Sequence, residues 1–518
     1  MSGDVSATRP VSSLAGSATS VPDRARGVNR LAVAGIGSSI LIMIGASVLR
    51  NSWMIPTLVM PASGPPWDVQ SVHVPVGAVT VSLWLAAVLG TGGVVAGLVG
   101  VQRGARPPAW TLLIAGMLTV AVLTVLPPAG STDALDYASY GRIAVLGHSP
   151  YVVPPYYLHL ADNAFSRSVP IAWEHSVSVY GPIATVEQFL AARLGGTSAA
   201  RIVFWLKLWD AAAFGIVAAV ADRLLRSDPA RRLRAHLLWT INPLLLWDVI
   251  AAGHLDVLAA AAGLLGLLAL GEQPRAARPH WLRVLAAGAL VGIAADIKIN
   301  YILFSLGLAW ALRRSPAAVA AAAAGALALL VPSYAFFGPP AVRSLVRHRN
   351  ATSADSFYKI LLAPHWWPHV AAIATVMVVA TAVLLTLCRL PAGAPVRPAI
   401  RPALTLSVAW LFLWPYQFPW YDVMICCLLV LYPASRLDWL VLARLMAGTI
   451  FTIPGNAFFR PGHLLNDIHY VVVHLIAPVV IFAAAICLIT FSVSGQWKLR
   501  QPSRPPAAAA PGTGGPRQ

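Results

Sequence analysis

The feature that most constrains this chain is the recurrence, from Leu31 to Thr490, of apolar runs of about 18 to 25 residues, each long enough to cross a hydrocarbon core of about 30 Å. Spans are predicted near 31–49, 76–101, 108–128, 199–225, 235–251, 255–270, 281–297, 299–313, 317–337, 369–388, 402–417, 420–434, 438–453 and 469–491, about fourteen in all. Of the 518 residues 58% are hydrophobic and 11% charged, and the mean hydropathy is +0.70. Soluble domains carry about 25% charged residues. A water-soluble enzyme is therefore excluded, and an all-α polytopic membrane protein is predicted.

The formal net charge of +18 would suit a nucleic-acid binder. The basic residues, however, sit in short interhelical loops, as orientation in a bilayer requires, so no nucleic-acid partner is expected. One side collects Arg24, Arg26, Arg30, Arg103, Arg106, Arg223, Arg226, Arg231, Arg232 and Arg234, then Arg275, Arg278, Arg313, Arg314, Arg389, Arg397, Arg436, Lys498 and Arg500. The other has mainly Arg50, Arg142, Arg167, the 343–359 group and Arg460. The positive-inside rule then puts both termini in the cytoplasm of a multi-pass plasma-membrane protein. Residues 1–28, without an apolar stretch or a cleavable signal peptide, and the Pro- and Ala-rich tail 496–518 are expected to be disordered. The membrane domain between them is 29–495. The basic residues are almost all Arg, which together with the Ala, Gly and Pro load suggests a GC-rich bacterial genome. The four cysteines, Cys388, Cys426, Cys427 and Cys487, have neither metal-ligand nor disulfide spacing and read as small core residues.

Inward connections are short and basic, whereas two outward segments are long, roughly 129–198 and 338–368. The first carries acids and the second carries Arg343, Arg347, His348 and Arg349, so an acidic loop faces a basic one on the outer side. Asp133 and Asp136 follow directly after the third span, and on a helix their spacing puts both carboxylates on one face. Partial burial there raises a carboxyl pKa toward the range useful to a general base; capping a helix or pairing with Arg142 is the alternative. His254 and Asp256 sit at the turn after a span, as phosphate or sugar ligands or as a polar turn with Asp256 as helix N-cap. Two ligands are too few for a metal site. Lys298 lies within an apolar stretch, where an ionisable group needs a partner such as Asp256 unless it snorkels to the surface. Arg343 and Arg347 share a helical face and suit either a lipid-linked phosphate or lipid headgroups. Tyr180-Gly-Pro182 and the run Trp414–Asp422 combine helix-breaking Pro with aromatics suited to sugar stacking or to an interfacial belt.

Taken in order, these pieces resemble a family. Asp133-x-x-x-Tyr137-x-x-x-Gly141 with Gly147-His-Ser-Pro-Tyr151 resembles the first outer loop of actinobacterial polyprenol-phosphate-mannose-dependent α-mannosyltransferases, of the GT-C class of integral-membrane glycosyltransferases. Tyr180-Gly-Pro182, Asn242-Pro243 with Gly253-His-Leu-Asp256, Lys298 and Pro419-Trp-Tyr421 resemble later elements of that family, in the same order. The chain departs from the pattern at Ser149 and Leu255, where the family has Asp and Asn, and Asp136 stands at a commonly non-acidic position.

The resemblance implies a GT-C bundle with small outer loop helices forming a cap. It implies transfer of a sugar, foremost mannose, from a polyprenyl-phosphate donor to a hydroxyl of a lipid-linked glycan or glycolipid acceptor, with inversion, on the outer face of the plasma membrane. Asp133 would be the general base, with Asp136 the second candidate. The leaving phosphate needs positive charge, for which the candidates are Lys298 and His254, with Arg343, Arg347 and Arg349 added from charge placement alone. Tyr137, Tyr151, Tyr180, Asp256, Trp420 and Tyr421 are the expected substrate-binding residues. No cofactor or metal site is expected, although a divalent ion remains compatible. A transporter or lipid flippase is the alternative from another class, and an arabinosyl- or glucosyltransferase the alternative within this one.

Overall fold

The computed structural model describes residues 23–50, 58, 61, 63–67, 72–166, 173–271, 280–347, 350–388, 390, 397–453 and 464–497. These are helical apart from turns and a two-residue parallel pairing of Leu49–Arg50 with Val72–His73. The principal helices are α1 (Asp23–Ser47), α2 (Val76–Gln102), α3 (Ala109–Val125), α4 (Asp133–Val145), α5 (Pro182–Gly195) and α6 (Ala199–Leu224). They continue with α7 (Pro229–Leu238), α8 (Asp256–Ala269), α9 (Trp281–Ile297), α10 (Ile302–Leu312), α11 (Pro316–Phe337) and α12 (Pro339–Arg347). The last are α13 (Val370–Leu387), α14 (Ile400–Leu413), α15 (Val423–Leu429), α16 (Arg436–Thr452) and α17 (Ala477–Ser494).

Several starts were written in the sequence as a polar cap followed by proline. Asp228 accepts the N–H groups of Ala230 and Arg231, Asn242 that of Leu244 and Ser315 that of Ala318, with Pro229, Pro243 and Pro316 at the first helical position. Such a cap satisfies N–H groups that the helix itself leaves open, and proline has none to lose there.

Six segments among the described residues are long and apolar enough to cross a membrane: Gly27–Ser47, Val76–Gln102, Ala199–Leu224, Pro316–Phe337, Pro364–Leu387 and Leu464–Ser494. The sequence-based figure of about fourteen counts shorter helices too. α3, α9 and α16 have 17 residues each, which at 1.5 Å per residue is about 25 Å, short of a full crossing. The two spans expected at 235–251 and 255–270 form a single pair of arms bent by 114°. The cause is local: a π-helical turn at Leu246–Ala251 is followed by Gly253 at φ +73°, a conformation that glycine adopts without strain. Further along the chain α14 stops at Leu413, and the irregular stretch 414–418 precedes the short turn Pro419–Asp422. α1 begins inside the segment expected to be disordered; residues 1–22 and 498–518 lie outside the described residues.

Packing brings the outer loops onto the bundle. α4 lies against α5 and α6, α8 against α9, and α9 against α11. Gly181 is pressed onto the end of α9, where a Cβ would lie 1.5 Å from the Asp296 carbonyl oxygen, so only glycine fits. This contact carries the start of α5, and with it Tyr180, against Lys298.

Candidate active site

A cavity of about 560 Å³ opens where α4, the Tyr180 segment, the α9–α10 junction and the aromatic run 410–421 meet. Asp133, Asp136, Tyr140, Tyr180, Lys298, Trp420 and Tyr421 all line it. Asp133 reaches it because the loop after α3 is fixed at two points. Lys207, fully buried in α6, donates to the carbonyl oxygens of Leu123 and Leu126 at 2.6 and 2.9 Å, and Ala129 N–H bonds Ala251 O. These are C-terminal carbonyls that the helix leaves unpaired. Asp133 then opens α4, with its N–H on Ser131 Oγ.

Neither carboxylate does what a merely structural acid would. Arg142 pairs with Asp162 at 3.0 Å, and no side-chain cap bond closes the start of α4. Asp133 is 22% exposed, with Oδ2 3.8 Å from His254 Nδ1. Burial pushes its carboxyl up to about 6, against the opposing pull of Lys298 and the Ser131 hydroxyl. Asp136 is one turn on, buried, with Oδ1 unbonded. Burial, and next the charge of Asp133, hold its carboxyl well above the usual carboxylate range. Burial thus raises the carboxyls of both acids of the pair.

Lys298 folds inward. Its Nζ lies 2.8 and 2.7 Å from the two oxygens of Asp256, which begins α8 and does not serve as its N-cap. Asp296 is engaged elsewhere, accepting from Ile183 N–H and Ser333 Oγ. The ammonium also sits 4.0 Å from the centre of the Tyr421 ring, a cation–π contact. His254 is fully buried beneath the cavity, stacked on Trp420 at 3.9 Å, and Trp420 is stacked in turn on Phe418 at 4.6 Å. Tyr137 OH bridges His254 Nδ1 and Tyr180 OH, each at 3.3 Å. Tyr137 and Tyr151 do not line the cavity. Tyr151 OH donates to Tyr180 O at 2.9 Å and so helps to place Tyr180. Among the described residues no group of three or more His, Cys, Asp or Glu converges to hold a metal ion.

Among the described residues of the basic loop, Leu345 and Ala351 line the cavity. Arg343 lies instead in a shallow surface depression with Tyr334, Pro339 and Val342, outside the cavity. The Arg347 side chain, His348 and Arg349 lie outside the described residues.

One buried residue that motif spacing did not single out is Arg444 of α16. It donates to Leu411 O and Gln417 Oε1, and forms an ion pair with Asp422. It thereby ties down both ends of the run that carries Phe418, Trp420 and Tyr421. The signal that finds it is an arginine inside the apolar run 438–453, where an unpaired charge would be costly.

The fold and cavity define a class: a polytopic helical membrane protein with a carboxylate, a paired lysine and an aromatic wall at one end of its bundle. The profile of the family described as alpha-(1->6)-mannopyranosyltransferase, N-terminal domain, matches residues 32–314, more than half of the chain, and the chain belongs to that family. A Mycolicibacterium smegmatis protein named as a probable alpha-(1->6)-mannopyranosyltransferase is 29% identical over 223 residues, 38% of this chain and 39% of its own length. Alpha-(1->6)-mannopyranosyltransferase B of Corynebacterium glutamicum is 28% identical over 197 residues, 35% of this chain and 31% of its own. The chain therefore spans less than two fifths of the length of these curated relatives. No solved structure matches it.

Proposed function

We propose that this protein is a membrane α-mannosyltransferase. It moves mannose from a polyprenyl-phosphate donor to a hydroxyl of a lipid-linked cell-envelope glycan or glycolipid, with inversion at the anomeric carbon. The observation that carries the reading is the single cavity that joins Asp133 to Lys298 and to an aromatic wall. Asp133 takes the proton of the acceptor hydroxyl as its oxygen bonds to the anomeric carbon. The bond from that carbon to the phosphate oxygen breaks, and the phosphate leaves with the electron pair. Lys298 has three N–H donors and Asp256 takes two, which leaves one for the departing oxygen. Tyr421, Tyr180 and Trp420 provide ring faces on which sugars pack.

In this reading the domain spans 29–495, with 129–198 and 338–368 as its outer cap. The shorter apolar helices cross with their neighbours, giving about fourteen segments. Arginine-rich turns face the cytoplasm together with both termini, which sets the cavity on the outer side. Membranes containing the protein, given radiolabelled polyprenyl-phosphate mannose, should move label into a glycan or glycolipid, and the Asp133→Asn variant should not. If wild type moves label from no polyprenyl-phosphate sugar although acceptor is present, the reading fails.

A further inference from the structure

Asp136 is the acid of the cavity wall to which the transfer chemistry gives no task. It lies one turn along α4 from Asp133, is only 5% exposed, and its Oδ1 has no hydrogen-bond partner among the described residues. A buried oxygen left in that state is costly, and most such atoms in folded proteins are paired. Asp133, Asp136 and Tyr140 follow one another at steps of three and four residues, so they form one face of α4, and all three line the cavity. That face runs for about 10 Å at 1.5 Å per residue.

The segment 173–179 continues the same wall. Tyr140 OH donates to Ser176 O at 3.0 Å, which ties α4 to it. Two further bonds fix it, from Ser178 N–H to Pro150 O at 2.9 Å and from Tyr156 N–H to Glu174 O at 2.6 Å. It brings Trp173 to the cavity, 38% exposed and so with ring surface free. One wall thus offers a carboxyl oxygen that can accept from a hydroxyl and a ring that can pack against the C–H face of a sugar.

Resting on the proposed transfer reaction, we infer that Asp136 binds a second, unreacting hydroxyl of the acceptor sugar and so helps to select which sugar is extended. The acceptor is favoured over the donor by the direction of attack. Inversion requires the acceptor hydroxyl to approach the anomeric carbon from the side opposite to the departing phosphate. With the phosphate at Lys298 and the hydroxyl at Asp133, the rest of the acceptor ring lies on the side of Asp133 away from Lys298. Asp136 is on that side: Lys298 pulls on the Asp133 carboxyl, whereas the charge felt at Asp136 is that of Asp133. The two side chains are about 5–6 Å apart at Cβ, a span that two hydroxyls of one ring can bridge.

The test uses the full chain in phosphatidylcholine nanodiscs, with decaprenyl-phosphate mannose as donor and octyl α-mannoside as acceptor. It is repeated with analogues of the acceptor that each lack one unreacting hydroxyl. Asp136→Ala should raise KM for octyl α-mannoside about tenfold, as for one hydrogen bond lost, and leave KM for the donor at its wild-type value. One analogue should be poorer by a similar factor with wild type and no poorer still with Asp136→Ala. An equal rise for the parent and every analogue overturns the inference, and so does a rise confined to the donor. Loss of kcat with acceptor KM unchanged would make Asp136 the base and overturn it too.

A second arm reads stability and binding. Asp136→Ala removes an unpartnered buried oxygen, so its unfolding midpoint should equal or exceed that of wild type. A lower midpoint together with equal losses for all analogues marks a structural acid and overturns the inference. Binding of octyl α-mannoside without donor separates this inference from the reaction on which it rests. Asp136-dependent binding to a wild type that transfers no mannose would leave the subsite standing and remove the transfer reading. Transfer with an acceptor KM that Asp136→Ala does not change would do the reverse.

Discussion

The two outer loops carry opposite charge in the sequence and reach opposite outcomes in the fold. The first loop becomes α4 and α5, packs on α6 and α9, and delivers Asp133, Asp136, Tyr140 and Tyr180 to the cavity wall. Of the second loop's described residues, Leu345 and Ala351 line the cavity, while Arg343 sits on another face. Ser353 anchors the loop: its N–H bonds Pro415 O, and its Oγ accepts from Gln417 N–H. The cation that meets the acids comes from the membrane bundle, as Lys298 at the end of α9. Charge complementarity between two loops is therefore a poor guide to contact. A buried pair forms where packing excludes water, and an exposed arginine has water as a competing partner.

The sharpest way to break this comparison is Asp133→Asn. Loss of a general base costs about two to four orders of magnitude in rate, so transfer should fall by that much while the protein still elutes as a folded species. Wild-type activity in the variant would remove α4 from the chemistry. Lys298→Ala comes next. It leaves the Asp256 carboxylate buried without its cation, which costs about 3–5 kcal/mol. Thermal unfolding in detergent should show a large drop, partly restored in Asp256→Asn/Lys298→Ala; a wild-type midpoint for the single variant would mean the pair is not buried.

A smaller and graded effect is expected from pH. Asp133 must be ionised to accept a proton, and its carboxyl is pushed up to about 6. The rate should therefore hold above that value and fall by up to about tenfold per pH unit well below it. A rate flat from pH 7 down to pH 5 would assign the base elsewhere. The smallest effect belongs to the second loop. Charge placement alone led to the expectation that Arg343→Ala weakens donor use more than acceptor use. From its position outside the cavity the change in kcat/KM should be within about twofold for both, as for an exposed charge. A large, donor-selective rise in KM would restore the two loops to equal standing.

Much of the site could be read from the sequence because ionisable and helix-breaking residues are rare in apolar chains. Asp133, His254, Asp256, Lys298 and the run to Tyr421 all stand out against that background, and each lines the cavity or contacts a residue that does. The roles within the set were less legible. Tyr137 and Tyr151 match motif positions yet lie behind the wall, with hydrogen bonds from Tyr137 to His254 and Tyr180 and from Tyr151 to Tyr180. Ring orientation depends on packing partners more than a hundred residues away, as His254 is from Tyr137, and no local spacing reports it. Arg444 escaped for a related reason: its partners Leu411, Gln417 and Asp422 lie on α14 and in the segment after it.

Sequence by itself determined that this chain is helical and membrane-bound, where several helices begin, and which rare polar residues must find partners. Those properties follow from hydropathy, caps and the cost of burying charge, all local to the chain. Only the tertiary structure decided that Lys298 takes Asp256 over the nearer Asp296, that the apolar stretch after Pro229 bends back at Gly253, and that the acidic loop reaches the cavity while Arg343 stays outside it. The physical reason is competition. Each buried group takes the partner that close packing leaves within hydrogen-bond reach, and that choice is made jointly by elements far apart in the chain.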